Sequence, residues 1–92
     1  SIFGYAQTQL TDANIQTALD LWISDPSAAT TTYGNISDWD VSQVTDMSDL
    51  LKEKTTFNDD ISNWDASSVT VMENMFQDAA IFNQDIWFLG RE

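Results

Sequence analysis

Apolar and polar positions in the second half of the chain repeat with a period of 25 residues. The stretch "ISDWDVSQVTDM" at 36–47 returns as "ISNWDASSVTVM" at 61–72, with eight of twelve residues identical. The similarity covers 36–60 and 61–85, and a third unit begins at Ile86 before the pattern fails. Such self-similarity is typical of proteins in which each repeat packs only against its neighbours. The pattern therefore predicts two stacked coils with equivalent residues above one another.

Each repeat is predicted to begin with a strand. Residues 36–44 and 61–69 carry β-branched and aromatic side chains between Asx and Ser positions. This composition indicates a short strand followed by a turn. Helix caps at Asp40 and Asp65 are the competing interpretation of the same residues.

A short helix is predicted in the second half of each repeat. Thr70 and Glu73 have the spacing of a capping box at its start. The apolar residues behind them have the spacing i, i+3, i+4, i+7 of one helix face. They are Met72, Met75, Phe76 and Ala79. Residues 47–51 show the same apolar spacing in the first repeat.

The chain before the repeats predicts one amphipathic helix. Its apolar face consists of Ile15, Ala18, Leu19, Trp22 and Ile23. Thr11 is a suitable N-cap, and Leu10 can pack on Ile15 as a hydrophobic staple. Pro26 marks the end of the helix, and residues 27–34 are predicted to form a loop. Because the first coil of a repeat protein needs a cover, this helix is predicted to cap it.

These elements together predict an α/β repeat fold. The expected architecture is a short leucine-rich-repeat-like solenoid of about two coils with an N-terminal capping helix. Residues 1–35 would hold an N-terminal arm, the cap helix and a loop, and residues 36–92 two repeats and a truncated third. A chain of 92 residues is expected to form one domain. The repeated Trp and Met residues are interpreted as core, with a ligand-binding aromatic strip as the alternative.

The net charge and the absence of Cys and His exclude several classes of function. The net charge of −12 disfavours binding to nucleic acids and to anionic membranes. The absence of Cys and His removes disulfides, thiol chemistry, the usual general base and the commonest metal ligand. No apolar run reaches the length of a membrane span, so membrane insertion is not expected.

The repeated residues resemble those of a known family. The motifs W-D-x-S-x-V-T-x-M and F-N-x-D-I, which lie within 36–86, resemble the repeat of BspA-like surface proteins. The resemblance implies a leucine-rich-repeat-like solenoid on a secreted or surface protein with adhesive or protein-binding roles. It carries over no catalytic residue.

No group of residues in the sequence predicts catalysis. The three Gly stand alone at 4, 34 and 90, so no phosphate-binding loop is present. Carboxylates recur at the same places in both repeats, which suits a structural unit better than a single active site. The chain is therefore expected not to be an enzyme.

A calcium site is the sharper hypothesis for these carboxylates, because Ca²⁺ prefers several oxygen ligands. The weak candidates for ligands are Asp40, Asp65, Asp60 and Asp85. If Asp40 lies above Asp65, their like charges repel one another. Either backbone N–H groups of Asx-turns or a bound cation must then offset the repulsion. The N–H interpretation is favoured over Ca²⁺, and no other cofactor is expected.

The expected function is a non-catalytic protein–protein interaction module of a secreted or surface protein. A structural subunit or fragment within a larger multiprotein assembly is the first alternative, and a calcium-binding structural repeat is the second. The partner would be another protein of unknown identity, and an organelle lumen is the alternative location. Apolar residues near both ends are predicted to form the partner interface, and a cap that the chain makes for itself is the alternative for the C-terminal ones. They are Trp87, Phe88, Leu89, Ile2, Phe3 and Tyr5.

Overall fold

Two consecutive helices precede a long series of turns in the computed structural model, which describes residues 8–83. Helix α1 spans Ile15–Ser24 and helix α2 spans Pro26–Tyr33. A single turn of 3-10 helix follows at Ile36–Asp38.

Helix α1 is the amphipathic helix that the apolar spacing predicts. Its buried face consists of Ile15, Ala18 and Leu19. Reciprocal hydrogen bonds fix the turn before it. The Thr11 hydroxyl accepts from the Ala13 N–H at 3.2 Å, and Asn14 Oδ1 accepts from the Thr11 N–H at 2.8 Å. Thr11 thus bonds the turn that leads into α1, and the regular helix begins at Ile15.

The loop predicted for residues 27–34 is wrong, because helix α2 occupies this segment. Asp25 caps the helix, since its carboxylate accepts from the Ala28 N–H at 3.2 Å. Pro26 stands in the first turn, where its missing N–H leaves no helical bond unmade. Gly34 follows the last helical residue with a φ of 88°, a conformation that glycine adopts at little cost. Pro26 therefore starts a second helix as well as ending the first.

The predicted α/β fold, a leucine-rich-repeat-like solenoid, is wrong. Residues 8–83 form helices and turns without a strand or sheet, and one isolated parallel bridge joins Asp46 to Val71. Asx-turns interrupt the expected strands at 36–44 and 61–69. Those turns begin at Asn35, Asp40, Asp60 and Asp65. In each one a side-chain oxygen takes the N–H two residues on, which a ladder between strands would otherwise use.

The short helices predicted within the repeats are also wrong. Asn74 and Asp78 have φ angles of 61° and 59°, which lie outside the right-handed helical region. The equivalent residues of the first repeat, Asp49 and Glu53, have φ angles of 60° and 61°. Turns with i→i−3 hydrogen bonds replace the helix in both repeats. The apolar residues Met47, Leu50 and Leu51 are buried within these turns, so the helix-like spacing marks core residues without a helix.

The two repeats lie side by side in the 25-residue register that the sequence predicts. Backbone N–H groups of the first repeat donate to carbonyls of the second at alternate residues, with N···O distances of 2.7 to 2.9 Å. The pairs are Met47 to Val71, Asp49 to Glu73, Leu51 to Met75 and Glu53 to Gln77. In the opposite direction, the Thr45 carbonyl accepts from the N–H groups of Thr70 and Val71. This row of bonds joins the repeats in place of a sheet.

Aromatic rings one period apart stack in the core. The Trp39 and Trp64 rings lie 6.1 Å apart and 11° from parallel. Trp22 of α1 meets Trp39 edge-on at 6.2 Å, so the helix extends the stack beyond the first repeat. The Trp64 indole N–H also donates to the Ile36 carbonyl at 2.9 Å. Because Trp39 and Trp64 are 3% and 2% exposed, the core interpretation of the repeated Trp residues is confirmed.

We expect Trp39→Ala and Trp64→Ala each to lower the free energy of unfolding by about 3–5 kcal/mol. Each change leaves a cavity in the stack and removes the indole donor from a backbone carbonyl. Urea unfolding followed by circular dichroism measures the loss. Trp22→Ala is the matched control and should cost less, because this ring is only partly buried. A parent-like stability of either core variant would show that the ring lies outside the core.

Candidate functional site

The Asp12 side chain covers the edge of the first repeat that faces α1, and it accepts the hydrogen bonds that a preceding repeat would otherwise accept. Asp12 Oδ1 accepts from the N–H groups of Thr45 and Asp46 at 2.8 and 3.1 Å. Asp12 Oδ2 accepts from the Thr45 hydroxyl at 2.6 Å. One period later, the N–H groups of Thr70 and Val71 donate to the Thr45 carbonyl. The Asp12 carboxylate therefore occupies the role that a backbone carbonyl plays between the repeats.

Helix α1 also supplies a hydrogen-bond donor in the place of a backbone N–H from a preceding repeat. Gln16 Nε2 donates to the Leu50 carbonyl at 3.1 Å. The equivalent carbonyl of the second repeat, that of Met75, accepts from the Leu51 N–H at 2.9 Å. A side-chain amide thus replaces a backbone N–H in the same register. These contacts place Asp12 and the Gln16 side chain of α1 against the edge of the first repeat.

The second repeat is less covered than the first. Val71 and Ile81 are 41% and 54% exposed. Other apolar residues of the second repeat are only partly buried, whereas their equivalents one period earlier are fully buried. We call this set the open face; it consists of Val69, Val71, Met72, Phe76, Ile81 and Phe82. Packing around the partly buried members of the open face is therefore looser than in the first repeat, whereas Val71 and Ile81 occupy positions that are exposed in both repeats.

The candidate calcium ligands Asp40 and Asp65 form Asx-turns. Asp40 and Asp65 accept the N–H groups of Ser42 and Ser67, each at 3.0 Å. Hydrogen bonds from the serine hydroxyl and N–H lower the pKa of both carboxyls below their usual value. The neighbouring charge of Asp40 raises the pKa of Asp65, but by less than these bonds lower it. The interpretation of these residues as N–H acceptors is therefore confirmed.

The other two candidate calcium ligands are Asp60 and Asp85. Asp60 accepts the Ser62 N–H at 2.9 Å, and its pKa is lowered mainly by that bond. Asp85 lies outside the described residues. Within residues 8–83, no group of three or more carboxylates is arranged to hold a metal ion. Calcium binding stays a hypothesis that a titration must decide.

The predicted partner interface lies outside the part of the chain that the structure describes. All six of its residues lie outside residues 8–83; they are Trp87, Phe88, Leu89, Ile2, Phe3 and Tyr5. Sequence reasoning did not identify the open face or the capping contacts of Asp12 and Gln16. Comparing the two repeats position by position would not have found those contacts, because α1 does not follow the 25-residue period.

A shallow cleft lies between the helices and the end of the first repeat. Its volume is about 220 Å³, and it is lined by Trp22, Ile23, Pro26, Thr56, Phe57 and Asp59. The one carboxylate in the lining, Asp59, accepts the Trp22 indole N–H at 2.9 Å. This bond ties α1 to the first repeat, so the Asp59 contact has a structural role.

Comparison with known proteins identifies one family. A family model described as "Mycoplasma protein of unknown function, DUF285" matches residues 24–88, which is more than half of the chain. No curated protein and no solved structure matches the chain significantly. The matched range includes both repeats and α2 but excludes the capping residues Asp12 and Gln16. None of the helices found between residues 8 and 83 has the length and apolar character needed to cross a membrane.

We expect the contribution of the Asp12 cap to stability to depend on pH. Bonds from the Thr45 hydroxyl and N–H, and then from the Asp46 N–H, hold the pKa of Asp12 below its ordinary 3.8. Because the pKa of Asp12 is lower in the folded than in the unfolded chain, its charged form stabilises the fold at pH values above about 3.8. This contribution to stability is lost as the pH falls through the lowered pKa of the folded state. Asp12→Asn should therefore lower Tm at pH 6 and have a smaller effect near pH 2.

The control for this measurement is Asp38→Asn. The Asp38 side chain accepts no hydrogen bond within the part of the chain that the structure describes. Its replacement should change Tm little across the same pH range. An Asp12→Asn effect that does not depend on pH would contradict the charged cap.

We expect calcium to have little effect on stability. Backbone and hydroxyl donors already bond Asp40 and Asp65, so a chelator should leave Tm unchanged. Millimolar Ca²⁺ should raise Tm by less than about 5 °C relative to NaCl of equal ionic strength. A larger rise, absent when Asp40→Asn and Asp65→Asn are combined, would establish a metal site.

Proposed function

The chain belongs to this family, and we propose that it is a non-catalytic module that binds another protein through the open face. The observation that carries the proposal is the difference between the two repeats. Val71 and Ile81 of the second repeat expose large apolar side chains at positions where the first repeat exposes the polar Asp46 and Thr56. Exposed apolar residues that group on one repeat are a feature of protein-binding surfaces.

Charge supports a protein partner over other classes. The net charge of −12 opposes close approach to nucleic acid phosphates and anionic lipid. Glu73 and Asp78 are exposed within the second repeat and add negative charge near the open face. Such a surface favours a partner that is apolar at its centre and basic at its margin.

We infer the location from the sequence motif. The family match is consistent with the resemblance of W-D-x-S-x-V-T-x-M to BspA-like surface proteins, and that resemblance supports a secreted or surface-exposed protein. A subunit of a multiprotein assembly is the second candidate function. The open face supports this candidate too, because a permanent neighbour would complete the packing of the second repeat.

Two exposed residues of the open face provide the test. We expect Val71→Ser combined with Ile81→Ser to weaken binding at least tenfold. Burying an apolar side chain contributes about 1.5–3 kcal/mol, and each factor of ten requires about 1.4 kcal/mol. The proteins of the source organism's surface are passed over the immobilised chain, the captured protein is identified, and its Kd for each variant is measured. Tm should stay near that of the parent, because both side chains are exposed.

The matched control is Ala13→Ser, an exposed apolar position on the capped side of the protein. It should bind the captured protein with the parent Kd. If the double variant and the parent bind equally well, the open face is not the binding surface. A complex that survives purification and gel filtration would favour the assembly subunit.

A further inference from the structure

Backbone N–H groups in each repeat alternate between two uses. In the first repeat, Leu50, Lys52 and Lys54 donate to carbonyls three residues back. The residues between them donate across to the second repeat. The N–H groups that cross therefore all leave the same side of the first repeat, and they form a row of donors at two-residue spacing.

The second repeat has the same alternation. Met75, Gln77 and Ala79, one period after Leu50, Lys52 and Lys54, donate to carbonyls three residues back. The N–H groups that correspond to the crossing donors of the first repeat are those of Met72, Asn74, Phe76 and Asp78. Within residues 8–83 these four donate to no acceptor. We call them the donor row.

We propose that the donor row binds a basic segment of a partner protein by backbone hydrogen bonding. Carbonyl oxygens of that segment would take the place that the second repeat's carbonyls take for the first repeat. An exposed row of backbone donors is a template for pairing with another chain, as in peptide recognition at sheet edges. The inference rests on the proposed function and specifies how the partner is bound.

The negative charge near the donor row favours a partner segment that is positively charged. Glu73 lies within the donor row's span and Asp78 belongs to the row itself, and both are exposed. Basic side chains on the incoming segment would meet these carboxylates while its backbone meets the N–H groups. Attraction between exposed charges also speeds association and disfavours acidic segments.

A second copy of this chain fits the donor row poorly. Each copy carries a net charge of −12, so two copies repel one another. The complementary edge, on the first repeat, is also occupied by its own cap, since Gln16 bonds the Leu50 carbonyl and Asp12 bonds Thr45. Charge repulsion and the occupied edge of the first repeat therefore disfavour a second copy as the occupant.

Amide hydrogen exchange measured by NMR provides the test. The probe is a ten-residue peptide of alternating valine and lysine, which offers backbone carbonyls and carries positive charge. The control peptide alternates valine and glutamate. We expect the lysine peptide to slow exchange about tenfold or more at Met72, Asn74, Phe76 and Asp78, and the glutamate peptide to leave it unchanged.

A matched pair of variants tests the charge contribution. Glu73→Gln combined with Asp78→Asn should weaken binding of the lysine peptide about three- to tenfold. The control is Asp49→Asn combined with Glu53→Gln, which removes two charges from the first repeat, where the N–H row is already paired. This control should change the Kd by less than about twofold. Equal losses in both double variants would overturn the placement of the segment at the donor row.

The remaining outcomes also overturn the inference. The lysine peptide could fail to bind, or it could bind without protecting the donor row. The four amides could also be protected in the free protein, which would assign the row to the chain's own residues. Each of these results leaves the proposed function intact if Val71→Ser with Ile81→Ser still weakens binding of the natural partner at least tenfold. Loss of that dependence, in contrast, removes the proposed function and the inference together.

Discussion

The fold depends on one constraint: the backbone groups along the edge of each repeat must be bonded in a 25-residue register. Half of the N–H groups at 47–54 bond within their own repeat, and the other half cross to the next. The crossing bonds place each repeat beside its neighbour and bring Trp39 and Trp64 into a stack. Positive φ angles recur at Asp49 and Asn74, so the same backbone path serves both repeats.

This constraint explains why a helical cap is needed and what it must provide. A first repeat without a neighbour would leave the Thr45 N–H and the Leu50 carbonyl at an unpaired edge. Asp12 and Gln16 bond both groups with side-chain oxygen and nitrogen in place of backbone atoms. On the opposite side, the four N–H groups of the donor row have no acceptor among residues 8–83. The proposed binding surface is thus inferred by comparing the covered edge of the first repeat with the opposite edge of the second repeat.

The sequence predicted the period, the register and the identity of the core Trp residues, because these follow from residues that recur at fixed spacing. It also predicted that Asp40 and Asp65 would accept backbone N–H groups. It failed on the type of local structure, since β-branched residues at 36–44 suggested a strand. The Asx-turns at Asn35 and Asp40 compete with a ladder for the same N–H groups.

Other features could not be read from periodicity. Helix α2 contains consecutive Thr residues, which are poor helix formers, and its formation depends on Asp25 at one end and Gly34 at the other. The hydrogen bonds of Asp12 and Gln16 depend on how α1 packs on the first repeat, and no sequence spacing relates them to Thr45 or Leu50. The open face was missed because Val71 and Ile81 occupy positions held by polar Asp46 and Thr56 in the first repeat.

The central claim is the pairing of the two repeats through alternate backbone hydrogen bonds, and NMR scalar couplings across hydrogen bonds test it most directly. The account predicts couplings from the N–H of Met47 to the carbonyl of Val71, and likewise from Asp49 to Glu73 and from Leu51 to Met75. Couplings that connect these residues in another register, or their absence under conditions where the helix α1 bonds give clear couplings, would contradict it.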